Sequence, residues 1–264
     1  MTPEKDRMTS LISSSVRRFH LVCVVVLAIS PTLAISIADA GELTFDKVRL
    51  ANIDARMAEF VTGHQISGAV TAVATKNKVV HLSAVGQADI ESKRAMQADS
   101  IFRIASMTKP ITATAMMILH DEGKLSIDDP IEKFIPAFKG QKLKGGTAVR
   151  AVTIRDVLTH TAGLSRPPGE SFLTKSLEEI VDEIGRAPLA FEPGSQWQYS
   201  SGLNVAARII EVISGESYED FLDSRLFKPL GMKDTSFVLT QAQADRLATT
   251  YSPKVGGGIA PSSQ

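Results

Sequence analysis

The stretch FRIASMTKPITATAMMILHDEGKLSIDDPIEKFIP, Phe102 to Pro136, sets a serine and a lysine three positions apart at the mouth of an apolar helical run. A strand-like segment, Ser100 to Ala105, leads into Ser106, and helical spacing then holds through Leu119 and stops near Gly123. Residues i and i+3 share a helix face, so the Lys109 amine can lie beside the Ser106 hydroxyl. Pro110 falls close to the first turn, where a missing N–H costs little. Spacing alone leaves two readings open. Ser106 caps the helix and Lys109 is solvated, or Ser106 is a nucleophile whose proton passes to a desolvated lysine while the helix N-terminus favours the developing anion. About one S-x-x-K is expected by chance in a chain of this length, and this chain has one.

The surroundings read as a helix, a hairpin and then mostly helices. Val48, Ile53, Met57 and Phe60 mark an amphipathic first helix within Phe45–Val61. Two β-rich runs between Ser67 and Asp89 flank Lys76-Asn77-Lys78, which predicts a hairpin. Thr153 with Asp156, Ser176 with Glu179 and Ser217 with Asp220 are hydroxyl–acid pairs that cap helix starts. A further helix, Gly202–Ser214, ends at Gly215, suited to a left-handed stop.

The chain has 264 residues, 44% of them hydrophobic, with 29 basic and 29 acidic side chains. That is enough to bury a core, and the absence of basic blocks argues against a nucleic-acid partner. Arg17-Arg18, the apolar run Leu21–Ile37 broken by Pro31, and Ala38-Asp39-Ala40 read as a secretory signal over residues 1–40, cleaved after Ala40. The run is shorter than the ~20 apolar residues of a membrane span, so no stable anchor is expected after cleavage. Cys23, the one cysteine, leaves with the signal. The mature part, 41–264, then has neither a disulfide framework nor a cysteine metal site, and its scattered histidines lack ligand spacing. No cofactor is expected.

Phe102–Pro136 closely resembles the nucleophile region of the serine β-lactamase and penicillin-binding-protein superfamily, particularly its class C-like branch and the family VIII esterases. TIRDVLTHTAGL (Thr153–Leu164) and FEPGSQWQYSSGLNVAARIIEVISG (Phe191–Gly215) resemble that branch's next two signatures, in the same order. The resemblance implies an α/β (α+β) fold of the β-lactamase/transpeptidase type, an antiparallel sheet flanked by helices beside a helical region. It makes Ser106 the acylated nucleophile, Lys109 its partner, and Tyr199 the phenolate that shuttles the proton. A free phenol has a pKa of about 10, so that role requires nearby cationic charge. The resemblance places His160 in a structural turn ending at Gly163. No G-x-S-x-G occurs, so a classical triad through His160 is disfavoured.

Two departures shape the expectation. The family's Tyr-x-Asn reads Tyr199-Ser200-Ser201, so a short hydroxyl replaces a substrate-binding amide, and Asn204 one turn on is a candidate substitute. The family's closing strands, its Lys-Thr-Gly or His-x-Gly motif and one oxyanion donor have no counterpart up to Gln264. A C-terminally incomplete domain with an open hairpin edge is therefore expected. The implied activity is an exported serine hydrolase working through an ester on Ser106. Carboxylesterase stands first, because Ser201 weakens lactam recognition more than simple acyl transfer. A class C-like β-lactamase or D-alanyl-D-alanine carboxypeptidase is the alternative, with a small ester, a lactam or cell-wall peptide as substrate. A non-catalytic binding protein or an inactive fragment is the reading from another class.

Overall fold

A computed structural model of the chain describes residues 45–262 except 144, 167–168 and 170–173. The expected signal segment and its cleavage site lie outside the described residues. The elements that follow all belong to the unit Lys47–Gln264.

Helix α1 (Lys47–Thr62) packs on an antiparallel hairpin of β1 (Gly68–Ala74) and β2 (Val79–Asp89). The turn forms where expected because Thr75 Oγ1 accepts from the backbone N–H groups of Asn77 and Lys78 (3.3 and 3.1 Å), a local bond that bends the chain. Ile53, Met57 and Phe60 form the half-buried stripe of α1, but Val48 is 74% exposed. The physical reason is helical geometry: five residues before Ile53 lies roughly 140° around the helix from it. A short β3 (Arg94–Ala95) extends the sheet in the order β1-β2-β3, which leaves β1 at an edge.

The strand-like segment before the nucleophile is reduced in the structure to one parallel bridge, Ile101 with Leu247. Ile101 N–H donates to Arg246 O (3.0 Å) and Ala248 N–H donates to Ile101 O (2.8 Å). Phe102 and Ile104, each 42% exposed, have no strand beside them among the described residues, so alternation alone does not make this run a strand.

Beyond it lies the helical region: α2 (Thr108–Asp121), α3 (Ile154–Thr159), α4 (Leu177–Arg186), α5 (Gly202–Ser214) and α6 (Tyr218–Leu222). All three hydroxyl–acid pairs cap as expected, Thr153 accepting from Asp156 N, Ser176 from Glu179 N and Ser217 from Asp220 N. A capping box of Thr240 with Gln243 starts the short α7 (Gln241–Ala244). The main core centres on α5, whose Val205, Ala206, Ile209 and Ile210 are fully buried, each large one contributing about 1.5–3 kcal/mol. These side chains meet Met116 and Leu119 of α2, Val157 of α3 and Ile180, Val181 and Ile184 of α4 within one cluster.

Backbone proximity sets the seating of α5. A Cβ on Gly202 would come within 2.5 Å of Val157 O, so only glycine lets the start of α5 rest on α3. Gly202 directly follows Ser201, and this contact thereby anchors the end of the segment that carries Tyr199. At the other end of α5, Gly215 terminates the helix with φ +74°, as its sequence position suggested. Among the described residues no helix is long and apolar enough to cross a membrane.

Candidate active site

Ser106 does not cap a helix. It sits in a 3₁₀ turn, Ala105–Met107, ahead of α2, and the N-cap position of α2 is Met107, which makes no side-chain cap bond. Ala105 just before it takes φ +42°, a left-handed conformation that costs a non-glycine residue about 1–2 kcal/mol. The hydroxyl instead receives two side-chain donors. Lys109 Nζ donates to Ser106 Oγ at 3.0 Å and Tyr199 Oη donates to it at 2.7 Å. Lys109 Nζ also stands 4.7 Å from the centre of the Tyr199 ring. Three of the four residues singled out from the sequence thus meet at one oxygen.

This arrangement is electrostatically biased. The Lys109 ammonium holds the Tyr199 phenol below its usual 10.0, helped by the bond to Ser106 and, more weakly, by the charge of Arg166. A phenol shifted this way can exchange a proton with a serine hydroxyl at hydrogen-bond distance, the requirement for general acid–base work.

Ser201, the fourth, does not join them at Ser106 Oγ. It is buried at 7% exposure at the start of α5, and among the described residues no hydrogen bond joins its hydroxyl to Lys109. It lines, with Ser106, Lys109, Tyr199, Asn204 and Arg166, a cavity of about 900 Å³ that runs on to Tyr218 and Phe237. Thr112 and Tyr218 bond to each other in its wall (2.6 Å), and burial raises the Tyr218 phenol. Asn204 therefore does face the same cavity as the nucleophile. Arg166 was missed in the sequence, since an arginine after a turn carries no signal until the fold brings it to the cleft. Among the described residues no group of three or more His, Cys, Asp and Glu side chains could hold a metal ion.

His160 closes α3 as a left-handed C-cap, φ +61°, and its ring lies 4.7 Å from that of Tyr199. Among the described residues it makes no hydrogen bond to Ser106, so the nucleophile and this histidine do not pair. The carboxylate beneath this turn is Asp156, which Arg150 clamps through both oxygens (2.6 and 2.9 Å). Burial pushes the Asp156 carboxyl up, but Arg150 and the Thr153 bonds outweigh it and hold the group below its ordinary value.

Comparisons with known proteins identify the family and the fold. The family model described as Beta-lactamase matches residues 53–264. Esterase EstB of Burkholderia gladioli is 34% identical over 229 residues, covering 81% of this chain and 57% of the esterase. Penicillin-binding protein 4* of Bacillus subtilis (strain 168) is 33% identical over 193 residues, covering 70% of this chain and 41% of that protein. Among solved structures, EstCE1, described as a hydrolase with promiscuous acyltransferase activity, superposes with a TM-score of 0.74 at 28% identity, covering 81% of this chain and 59% of its own. The chain spans about half the length of the curated relatives it matches. With the fold, the order of its motifs and the matched family model in agreement, the chain belongs to the beta-lactamase family, within the β-lactamase/transpeptidase-like superfamily.

Proposed function

We propose that this protein is an exported serine hydrolase that transfers acyl groups through an ester on Ser106, and that its substrates are small carboxylic esters. The observation that carries the reading is the convergence of Lys109 Nζ and Tyr199 Oη on Ser106 Oγ at 3.0 and 2.7 Å. With Tyr199 ionised, the same short contact runs in the opposite sense, Ser106 O–H donating to the phenolate. Ser106 Oγ attacks the ester carbonyl as its proton passes to Tyr199. The tetrahedral adduct collapses, the alcohol leaves with that proton, and the acyl group remains on Ser106. Water then attacks the acyl-enzyme while Tyr199 takes its proton. The tetrahedral adduct collapses with cleavage of the ester bond to Ser106 Oγ, which takes the proton back from Tyr199, and the carboxylic acid departs. Lys109 keeps the phenol ionisable throughout and donates to Ser106 Oγ.

The preference for esters rests on Ser201. A side-chain amide at that place can meet both a lysine and the acyl amide of a lactam substrate, whereas a hydroxyl is too short for both. Recognition that depends on hydrogen bonds discriminates strongly when those bonds are missing, so a lactam loses more than a small ester from the change. Esterase EstB supports the same reading as a relative. Export is proposed from the basic flank, apolar run and Ala38-Asp39-Ala40 of residues 1–40.

The test uses the full-length protein. Mass spectrometry after reaction with an activated ester should find the adduct on Ser106 and lose it in Ser106→Ala. Values of kcat/KM for short p-nitrophenyl esters should exceed those for a cephalosporin, and Ser201→Asn should narrow the difference. An adduct on another serine would refute the nucleophile, and faster cephalosporin than ester hydrolysis would refute the esterase assignment.

A further inference from the structure

Tyr199 is flanked by two backbone donors that end on a single residue. Gln198 N–H donates to the His160 carbonyl at 2.9 Å, and Ser200 N–H donates to His160 Nδ1 at 3.3 Å. Between them the Tyr199 ring lies 4.7 Å from the imidazole at an interplanar angle of 35°, while Trp197 meets the imidazole edge-on at 6.1 Å and 78°. One residue can serve both donors because its backbone turns left-handed, φ +61°, where α3 ends. Asparagine and histidine are among the few side chains that tolerate that conformation.

We propose that His160 is a positioning residue that, as the neutral imidazole, holds Tyr199 Oη on Ser106 Oγ by fixing the backbone on both sides of Tyr199 and the phenol ring between them. The inference rests on the acyl-transfer reading of Ser106 and Tyr199. Nδ1 accepts from Ser200 only when it carries no proton, which places the single ring proton on Nε2. A second proton would set N–H against N–H, break the Ser200 bond and loosen the segment that carries the phenol.

The groups around the ring keep it neutral. Lys109 faces it from α2, Tyr199 presents a phenol from the following loop, and the Asp156 carboxylate of α3 is already engaged by Arg150 and Thr153. Burial first and the Lys109 charge second push the imidazole below 6.5. The device therefore operates through the neutral range and fails toward acid.

Pre-steady-state acylation of the full-length protein by p-nitrophenyl acetate tests this, in wild type, His160→Ala and His160→Asn, with folding checked by circular dichroism. A wild type that forms no Ser106 adduct refutes the acyl-transfer reading itself. Given that adduct, His160→Ala should acylate about 100-fold more slowly with little change in ester affinity, the scale of a misplaced catalytic group. Asparagine tolerates the left-handed turn and can accept from Ser200 through Oδ1, so His160→Asn should recover about tenfold or more of that loss. Below pH 6.5 the wild type should lose activity with one proton more than His160→Asn does. An Ala variant within about threefold of wild type, or an Asn variant as slow as Ala, overturns the positioning role. If His160→Ala does not fold, the pH profile of His160→Asn carries the test alone, and an acid limb identical to wild type overturns the proposal.

Discussion

Replacing Asp156 by asparagine should destabilise the protein by about 2–3 kcal/mol without changing its shape. The carboxylate accepts five hydrogen bonds: on Oδ2 from Arg150 Nη1 (2.6 Å), Thr153 N (2.9 Å) and Thr153 Oγ1 (2.8 Å), and on Oδ1 from Arg150 Nη2 (2.9 Å) and Thr161 Oγ1 (3.3 Å). Asparagine with its carbonyl at the Oδ2 position retains the first three. Its amide then faces Arg150 Nη2, while Thr161 can keep its bond to Thr159 (2.9 Å). What is lost is one charge-assisted bond and the attraction to the guanidinium. The Asp156 side chain is only 6% exposed, but that of Arg150 is 44% exposed. Solvent therefore screens the orphaned guanidinium, and the loss stays below the full cost of breaking a buried pair. For a domain of this size the change lowers Tm by roughly 4–12 °C.

Thermal unfolding of Asp156→Asn across pH is the assay. The folded carboxyl lies below its unfolded value of about 3.9, so its contribution is complete above that pH and vanishes as pH falls through the folded value. The wild type should thus approach the variant's stability in acid. A variant that melts with the wild type at pH 7, or a gap that persists unchanged in acid, would refute this account of the clamp.

Two further outcomes follow from the geometry. Gly202→Ala forces a methyl to within 2.5 Å of Val157 O and should lower stability by about 1–3 kcal/mol, read from the urea midpoint, with an unchanged midpoint contradicting the close seating of α5 on α3. Lys109→Met removes the main cause that lowers the Tyr199 phenol, so the acid limb of kcat/KM should move toward higher pH, and a limb that stays in place would show that another group sets it.

Much of this protein was legible one segment at a time. The three hydroxyl–acid caps, the Gly215 stop and the Lys76–Lys78 turn depend on bonds between residues a few positions apart, so the sequence determines them locally. The pairing of Ser106 with Lys109 is of the same kind, being one helical turn. Val48 misled because it falls off the buried stripe of α1, and the run before Ser106 because alternation reports a preference for burial without placing a strand beside it among the described residues.

Tyr199 is 93 positions from Ser106, and His160 lies 40 positions before the Ser200 N–H it receives. Family likeness named Tyr199, but no local rule could bring either residue to the nucleophile. That required α5 to settle on α3 across Gly202, and α3 to be held by the Arg150–Asp156 clamp. The sequence determined which chemistry is available, because a serine, a lysine and a phenol carry it in their own atoms. Tertiary packing decided that the Ser106 hydroxyl is spent on Lys109 and Tyr199 and not on a helix cap, because only long-range contacts fix side chains from separate elements at hydrogen-bond distance.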